Sequence, residues 1–282
     1  MMKKHINNPY DYAFGILYTE FPKELHELLN IPGKFKRKSN VKVRLKNGKV
    51  LEMDSSYVVD SDFDELYEPA VVNLEHQSTP VDEEKIKIIG NYNIQQIADE
   101  RLPPFNVIAT HIDKEKSLQK YKRTPTNTTE LYFIDLGEKN IQQRLNTVSN
   151  IVRTNEKHLT IKDALNLGII VLFAPRDNAR NITRKVLDLY MQIKHMPKKL
   201  EFTLYSVISA MINAYFDDEK EYDELINMIN YETEDEIIDK FETEIRTQNK
   251  MKEVEQFAND AIEENKQLKA KIKELEKKLE SK

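Results

Sequence analysis

The chain has 282 residues, carries 43 Lys and Arg against 48 Asp and Glu for a formal net charge of −5, and contains neither Cys nor Trp. That length accommodates one sizeable domain with an extension, or two small domains. The lack of Cys excludes a disulfide scaffold and thiolate zinc sites, and it suits a reducing compartment. The N-terminal MMKKHINNPYDY has no apolar run of the signal-peptide kind, and the apolar stretch GIIVLFAP at Gly168 is far too short for a membrane span. A soluble, cytoplasmic protein is the expectation.

Between Tyr10 and Asn30, Phe14, Leu17, Phe21, Leu25 and Leu28 recur at three- and four-residue spacing, which predicts a helix with one buried face. Pro22 predicts a break or a fresh helix start, and Pro32-Gly33 ends the element. From Gly33 to Lys49 the chain is basic without a single acid, on a protein that is acidic as a whole. VKVRL, Lys46-Asn47-Gly48-Lys49 and VLEM form a hairpin pattern, because Asn-Gly favours a type I′ turn. Alternation puts Lys42, Arg44 and Lys46 on one face of its first strand, the kind of strip that follows a phosphate backbone.

Lys49 to Asp60 reads as a strand with Asp54 near its middle, and Ala70 to Gln77 as a second strand ending in Glu-His-Gln. Glu75 and Gln77 then share one face while His76 takes the other, where packing is its expected role. The link Asp60, Asp62, Asp64, Glu65 lacks the Gly and the closing Glu of a calcium loop and predicts a solvated turn. A helix from Asp82 to Arg101, a strand over Pro104–Asp113, a loop through SLQKYKRTPTNTT and a strand over Glu130–Leu136 follow. Strands flanking a crossover helix predict an α/β class with a mixed sheet. Beyond Asn140 the periodicity is helical over 141–155, 161–173, 179–193, 200–216 and 219–229. In the tail, the seam Met251, Val254, Ala258, Ala261, Asn265, Leu268, Ile272, Leu275, Leu279 has one Asn at an a position, which favours a parallel two-stranded coiled coil and a homodimer.

Asp54, Glu75 and Gln77 are hard oxygen donors on neighbouring strands, the set that suits Mg2+ or Mn2+. An Asp on one strand, Glu-x-Gln on the next and a following helix resembles the core of the PD-(D/E)XK nuclease superfamily, with the Gln and the coiled tail similar to its recombination-promoting nuclease and putative transposase branch. The resemblance covers about Tyr10 to Leu136. It implies a restriction-endonuclease-like sheet core flanked by helices (1–138), a helical region packed on it (139–246) and a coiled-coil tail (247–282). It also implies a metal-dependent DNA endonuclease with Asp54 and Glu75 as metal ligands and Gln77 where Lys is usual. Asp60 is the rival to Asp54 as motif acid. In the family a Glu of the first helix often approaches the metal, so Glu27, Glu24 and Glu20 are candidates; Tyr92 and Gln95 would support the site from the crossover helix. The family's Arg before that Tyr is missing, with Lys85, Lys87, Gln95 and Gln96 as possible substitutes. The competing expectation is a catalytically inactive nuclease-like scaffold that dimerises through its tail. Convergence of the motif residues favours the enzyme; burial of either carboxylate against a basic partner favours the scaffold. Walker loops, dinucleotide fingerprints and Gly-x-Ser-x-Gly elbows are absent from the sequence.

Overall fold

A computed structural model describes residues 8–39, 42–44, 50–124, 127–154, 159–193 and 196–230. The chain divides into two compact units, 1–41 with 52–233 and 42–51 with 234–282. Of the second, the described part is the strand pair β2 (Lys42–Arg44) and β3 (Val50–Glu52), whose last residue belongs to the first unit. Lys46 and the tail seam 251–279 lie outside the described residues.

The first unit is an α/β fold on a mixed five-stranded sheet in the order β1-β4-β5-β6-β9. β1 (Lys34–Lys38), β4 (Ser55–Asp60) and β5 (Ala70–Gln77) run antiparallel in turn; β6 (Pro104–Thr110) and β9 (Tyr132–Asp135) run parallel to β5. A parallel step needs a crossover, and α3 (Glu83–Glu100) supplies it between β5 and β6. Asp82 starts α3 by accepting the Lys85 N–H at 2.8 Å, with Glu83 and Glu84 in the first turn where the helix dipole favours acids. The buried run Ala70–His76 reflects burial on both faces of a central strand, which strict alternation would not produce.

The helices form the other cover. α1 (Pro9–Glu20) and α2 (Pro22–Leu28) are separated at Phe21, as Pro22 predicts, and Pro22 opens α2 at the position where its missing N–H is harmless. α4 (Glu138–Thr154), α5 (Ile161–Leu172), α6 (Ala179–Gln192), α7 (Lys198–Tyr215) and α8 (Glu219–Asn230) follow the periodicity closely. Phe14, Leu17, Phe173, Leu204 and Ile208 are fully buried, so an apolar layer of helices backs the sheet. Arg144 ties α4 to α5 through Asn166 Oδ1 at 2.6 Å and reaches the Leu28 carbonyl of α2. Among the described residues no helix is long and apolar enough to cross a membrane.

Two segments differ from expectation. The run from Lys49 to Asp60 is not one strand: it breaks at Met53–Asp54, with β3 paired to β2 and β4 entering the main sheet. Asp54 therefore sits at the threshold of β4 rather than in mid-strand. The segment read as a loop contains a hairpin, β7 (Lys120–Thr124) with β8 (Asn127–Glu130).

Candidate functional site

The site gathers at the carboxyl end of β5, where the sheet changes from antiparallel to parallel pairing. Open α/β sheets characteristically bind ligands beyond the carboxyl ends of their strands. Glu75 and Gln77 share the face turned to α3, and His76 takes the opposite face. His76 lies between Tyr10, Phe14 and Phe173, with ring centroids 6.2, 5.3 and 5.1 Å away. Burial, then the neighbouring His111 and Lys85, bring its pKa down to about 4, which keeps it neutral. It is a packed histidine, as alternation predicts.

Glu75 is 2% exposed. Its Oε2 accepts from Lys85 Nζ of α3 at 2.6 Å, while Oε1 is buried without a hydrogen-bond partner among the described residues. Half-buried Asp54 reaches the same corner, where its Oδ2 accepts the His76 backbone N–H at 2.8 Å. Burial, reinforced by the Glu75 charge, raises the Asp54 carboxyl to about 8; the His76 N–H and Lys85 oppose this. Glu75 is also raised by burial, against the pull of Lys85 and the Asp54 backbone N–H. Burial alone would lower Lys85, but the Glu75 carboxylate and then Asp54 outweigh it, so the ammonium stays charged. Gln77 continues the row, half-buried, with its carbonyl accepting from Thr110 Oγ1 at 2.7 Å.

Asp11, in the first turn of α1, lies near enough to raise Asp54 and Glu75 and to favour charged Lys85. It is the helix acid that approaches the pair. Glu27 instead pairs with Lys162 of α5, and Glu20 with Lys199 of α7 at 3.1 Å. These carboxylates are engaged by the helical layer. Asp60, the rival motif acid, pairs with Lys36 at 2.9 Å. Its neighbour Asp62 spends its oxygens on the N–H groups of Leu66, Gly33, Asp64 and Glu65, which lower its pKa to about 2. The acidic link is a self-capped turn.

On α3, Tyr92 is buried, but Gln95 donates to Asp99 at 2.9 Å along the helix surface and does not support the site. Gln96 points inward and donates to Ser56 Oγ at 2.9 Å. Asn73 donates to both Asn93 Oδ1 and Asn106 Oδ1, at 3.1 and 3.0 Å. A buried amide row therefore fixes α3 on the sheet behind the carboxylates.

Lys85 and Asp11 are the two contributors that matter most beyond the motif. Lys85 stands three residues after the Asp82 cap. Asn8-Pro9 carries a cap-and-first-turn signature that places Asp11 at a helix start, but nothing in it places that start beside β5. Among the described residues, no three His, Cys, Asp or Glu side chains form a ready-made metal cage. Two carboxylates with an unpartnered oxygen still suit a cation that keeps several waters, as Mg2+ does. Comparison of the chain with known protein families, curated proteins and solved structures finds no match.

Proposed function

We propose that the chain is a Mg2+- or Mn2+-dependent endonuclease acting on DNA, with a restriction-endonuclease-like core of the PD-(D/E)XK kind. The observation that carries this reading is the proximity of Asp54 to Glu75 at the carboxyl end of β5, where Asp54 accepts the His76 N–H and Glu75 Oε1 is buried without a hydrogen-bond partner among the described residues. Two adjacent carboxyl groups repel when both are charged; without metal, the proton on Asp54 and the Lys85 ammonium relieve this, and a divalent cation would do the same. The order of β4, β5, α3 and β6 around the pair agrees with the resemblance in the sequence.

Asp54 and Glu75 would hold the cation, which when bound supplies Lewis-acid charge to the phosphate and a more acidic water. Asp54 must release its proton to serve as ligand, so cation and proton compete for the same oxygens. Lys85 brings to this corner the positive charge that Gln77 lacks, and it enters from α3 rather than from β5. The Gln77 amide, on the face shared with Glu75, can orient a water or a phosphate oxygen as donor and acceptor. Paired through a parallel coiled coil over 251–279, two protomers would present two sites to the two strands of a duplex, as recombination or transposition requires.

One observation favours a second reading. Glu75 is buried against a basic partner, Lys85, so the ion pair can be purely structural in a nuclease-like scaffold without turnover. Cleavage of supercoiled plasmid by purified protein separates the two. With Mg2+ or Mn2+, nicking that disappears in EDTA and in a folded Glu75→Ala variant is expected; no cutting by folded wild type with either ion would overturn the nuclease reading in favour of the scaffold.

A further inference from the structure

From the geometry we infer that the β7–β8 hairpin, with the short turn before it, is the arm that binds the DNA backbone. This inference rests on the nucleic-acid reading above. Residues 114–130 carry Lys114, Lys116, Lys120, Lys122 and Arg123 against the two acids Glu115 and Glu130, on a chain of net charge −5. All these basic residues are exposed. Lys120 is paired with Glu130 across the hairpin and Arg123 Nη2 donates to Asn91 Oδ1 at 2.9 Å, whereas Lys114, Lys116 and Lys122 have no acidic partner among the described residues.

A free basic loop is ordinarily just solvated, but this one is built against α3. Thr129 of β8 is 3% exposed. A Cβ at Gly90 of α3 would stand 2.8 Å from Thr129 Oγ1, so the glycine, which costs helix stability, permits the close approach. Lys87 Nζ lies 5.4 Å from the Tyr121 ring centroid, a further contact between helix and hairpin. At the root of the arm, Leu118 N donates to the Val81 carbonyl at 2.9 Å and Val81 N donates to Ser117 Oγ at 3.0 Å. These bonds attach it to Val81, in the segment that joins Gln77 of β5 to Lys85 of α3.

Tyr121 and Arg123 turn toward α3, which leaves Lys122 on the outer side with Lys120. An arm packed on α3 that presents lysines without an acidic partner among the described residues complements a polyanion, since the acids of the site alone would repel the phosphates that must approach them. Lysines on a surface of this kind position a duplex without reading its sequence. The arm thereby supplies the neutralisation expected from the Lys42–Arg44 strand.

The test measures binding of the full chain to an arbitrary 30-base-pair duplex in EDTA, over a range of salt, by fluorescence anisotropy. Wild type is compared with Lys114→Gln/Lys116→Gln/Lys122→Gln, with the same lysines changed to Arg, and with Lys42→Gln/Arg44→Gln/Lys46→Gln. The arm variant should bind at least about tenfold more weakly, with a slope of log K against log salt lower by about 2 to 3, and the Arg variant should bind as wild type does, given about 0.9 per phosphate contact. Wild-type affinity and slope in the arm variant would overturn the inference, as would absence of duplex binding by wild type. Loss confined to the 42–46 variant has the same meaning. The nuclease reading is judged separately: an arm variant that binds and nicks as wild type does refutes the arm alone, and arm-dependent binding without nicking refutes the nuclease alone.

Discussion

Asp54, with its carboxyl raised to about 8 from an ordinary 3.8, holds a proton in the metal-free fold that the unfolded chain has already released. The stability it contributes is full below about pH 4 and is lost as pH rises toward 8. His76 acts in the opposite sense: held neutral with a pKa of about 4 against an ordinary 6.5, it favours the fold increasingly as pH rises from 4 to 6.5. Comparing urea midpoints of wild type and Asp54→Asn in EDTA removes the His76 contribution. The variant's advantage should be near zero at pH 4 and should grow steadily to pH 8; a constant difference would show that Asp54 does not titrate in this window. Lys85 gives a second prediction at this scale. Lys85→Met strands a buried Glu75 charge and should cost about 3 kcal/mol, the low end for a broken buried pair because the lysine is partly exposed. Adding Mn2+ should recover part of that loss if the carboxylates bind it. Single residues were legible where strand alternation governs them. Glu75, Gln77 and His76 fall on the faces expected, whereas Asp11 and the helix glutamates depend on how α1 docks, which no local pattern encodes.

α3 shows how much one element fixes. Asn73→Ala removes the donor that serves Asn93 and Asn106, leaving two buried carbonyl oxygens unpaired, and should cost about 1–3 kcal/mol by chemical denaturation. Gly90→Ala would gain about 1 kcal/mol in an unencumbered helix, but here it should destabilise, because its Cβ meets Thr129 Oγ1. Thr129→Ala removes that oxygen, so in the Thr129→Ala background the same Gly90→Ala change should turn neutral or stabilising. A stabilising effect in both backgrounds would mean that the hairpin does not pack as described. The hairpin escaped sequence reading because KYKRT and NTTE have little apolar alternation and Thr129 is the one fully covered side chain in them. The break at Asp54 was hidden for a different reason: Val50 to Asp60 has continuous strand character, and only the change of pairing partner divides it. Helix boundaries, set by Pro22, the Asp82 cap and the Thr160–Asp163 capping box, lay close to the expected positions because caps are local chemistry.

At the scale of the whole molecule, the α/β class was legible from the succession of strand and helix periods, while the sheet order was not, because pairing across α3 joins residues far apart in the chain. The consequence for function is a corner supplied by α1, the β4 threshold, β5 and α3 together. If Asp54 and Glu75 form a divalent-cation site, as proposed, the thermal midpoint of the full chain with and without Mn2+ at pH 6 and pH 8 reports it. A ligand that binds only the folded state raises the midpoint with concentration. The wild-type midpoint should rise, more at pH 8, where proton competition at Asp54 is relieved, and the rise should vanish in Asp54→Asn and Glu75→Ala. A midpoint that does not move with Mn2+, or that moves equally in wild type and both variants, would rule out this cation site.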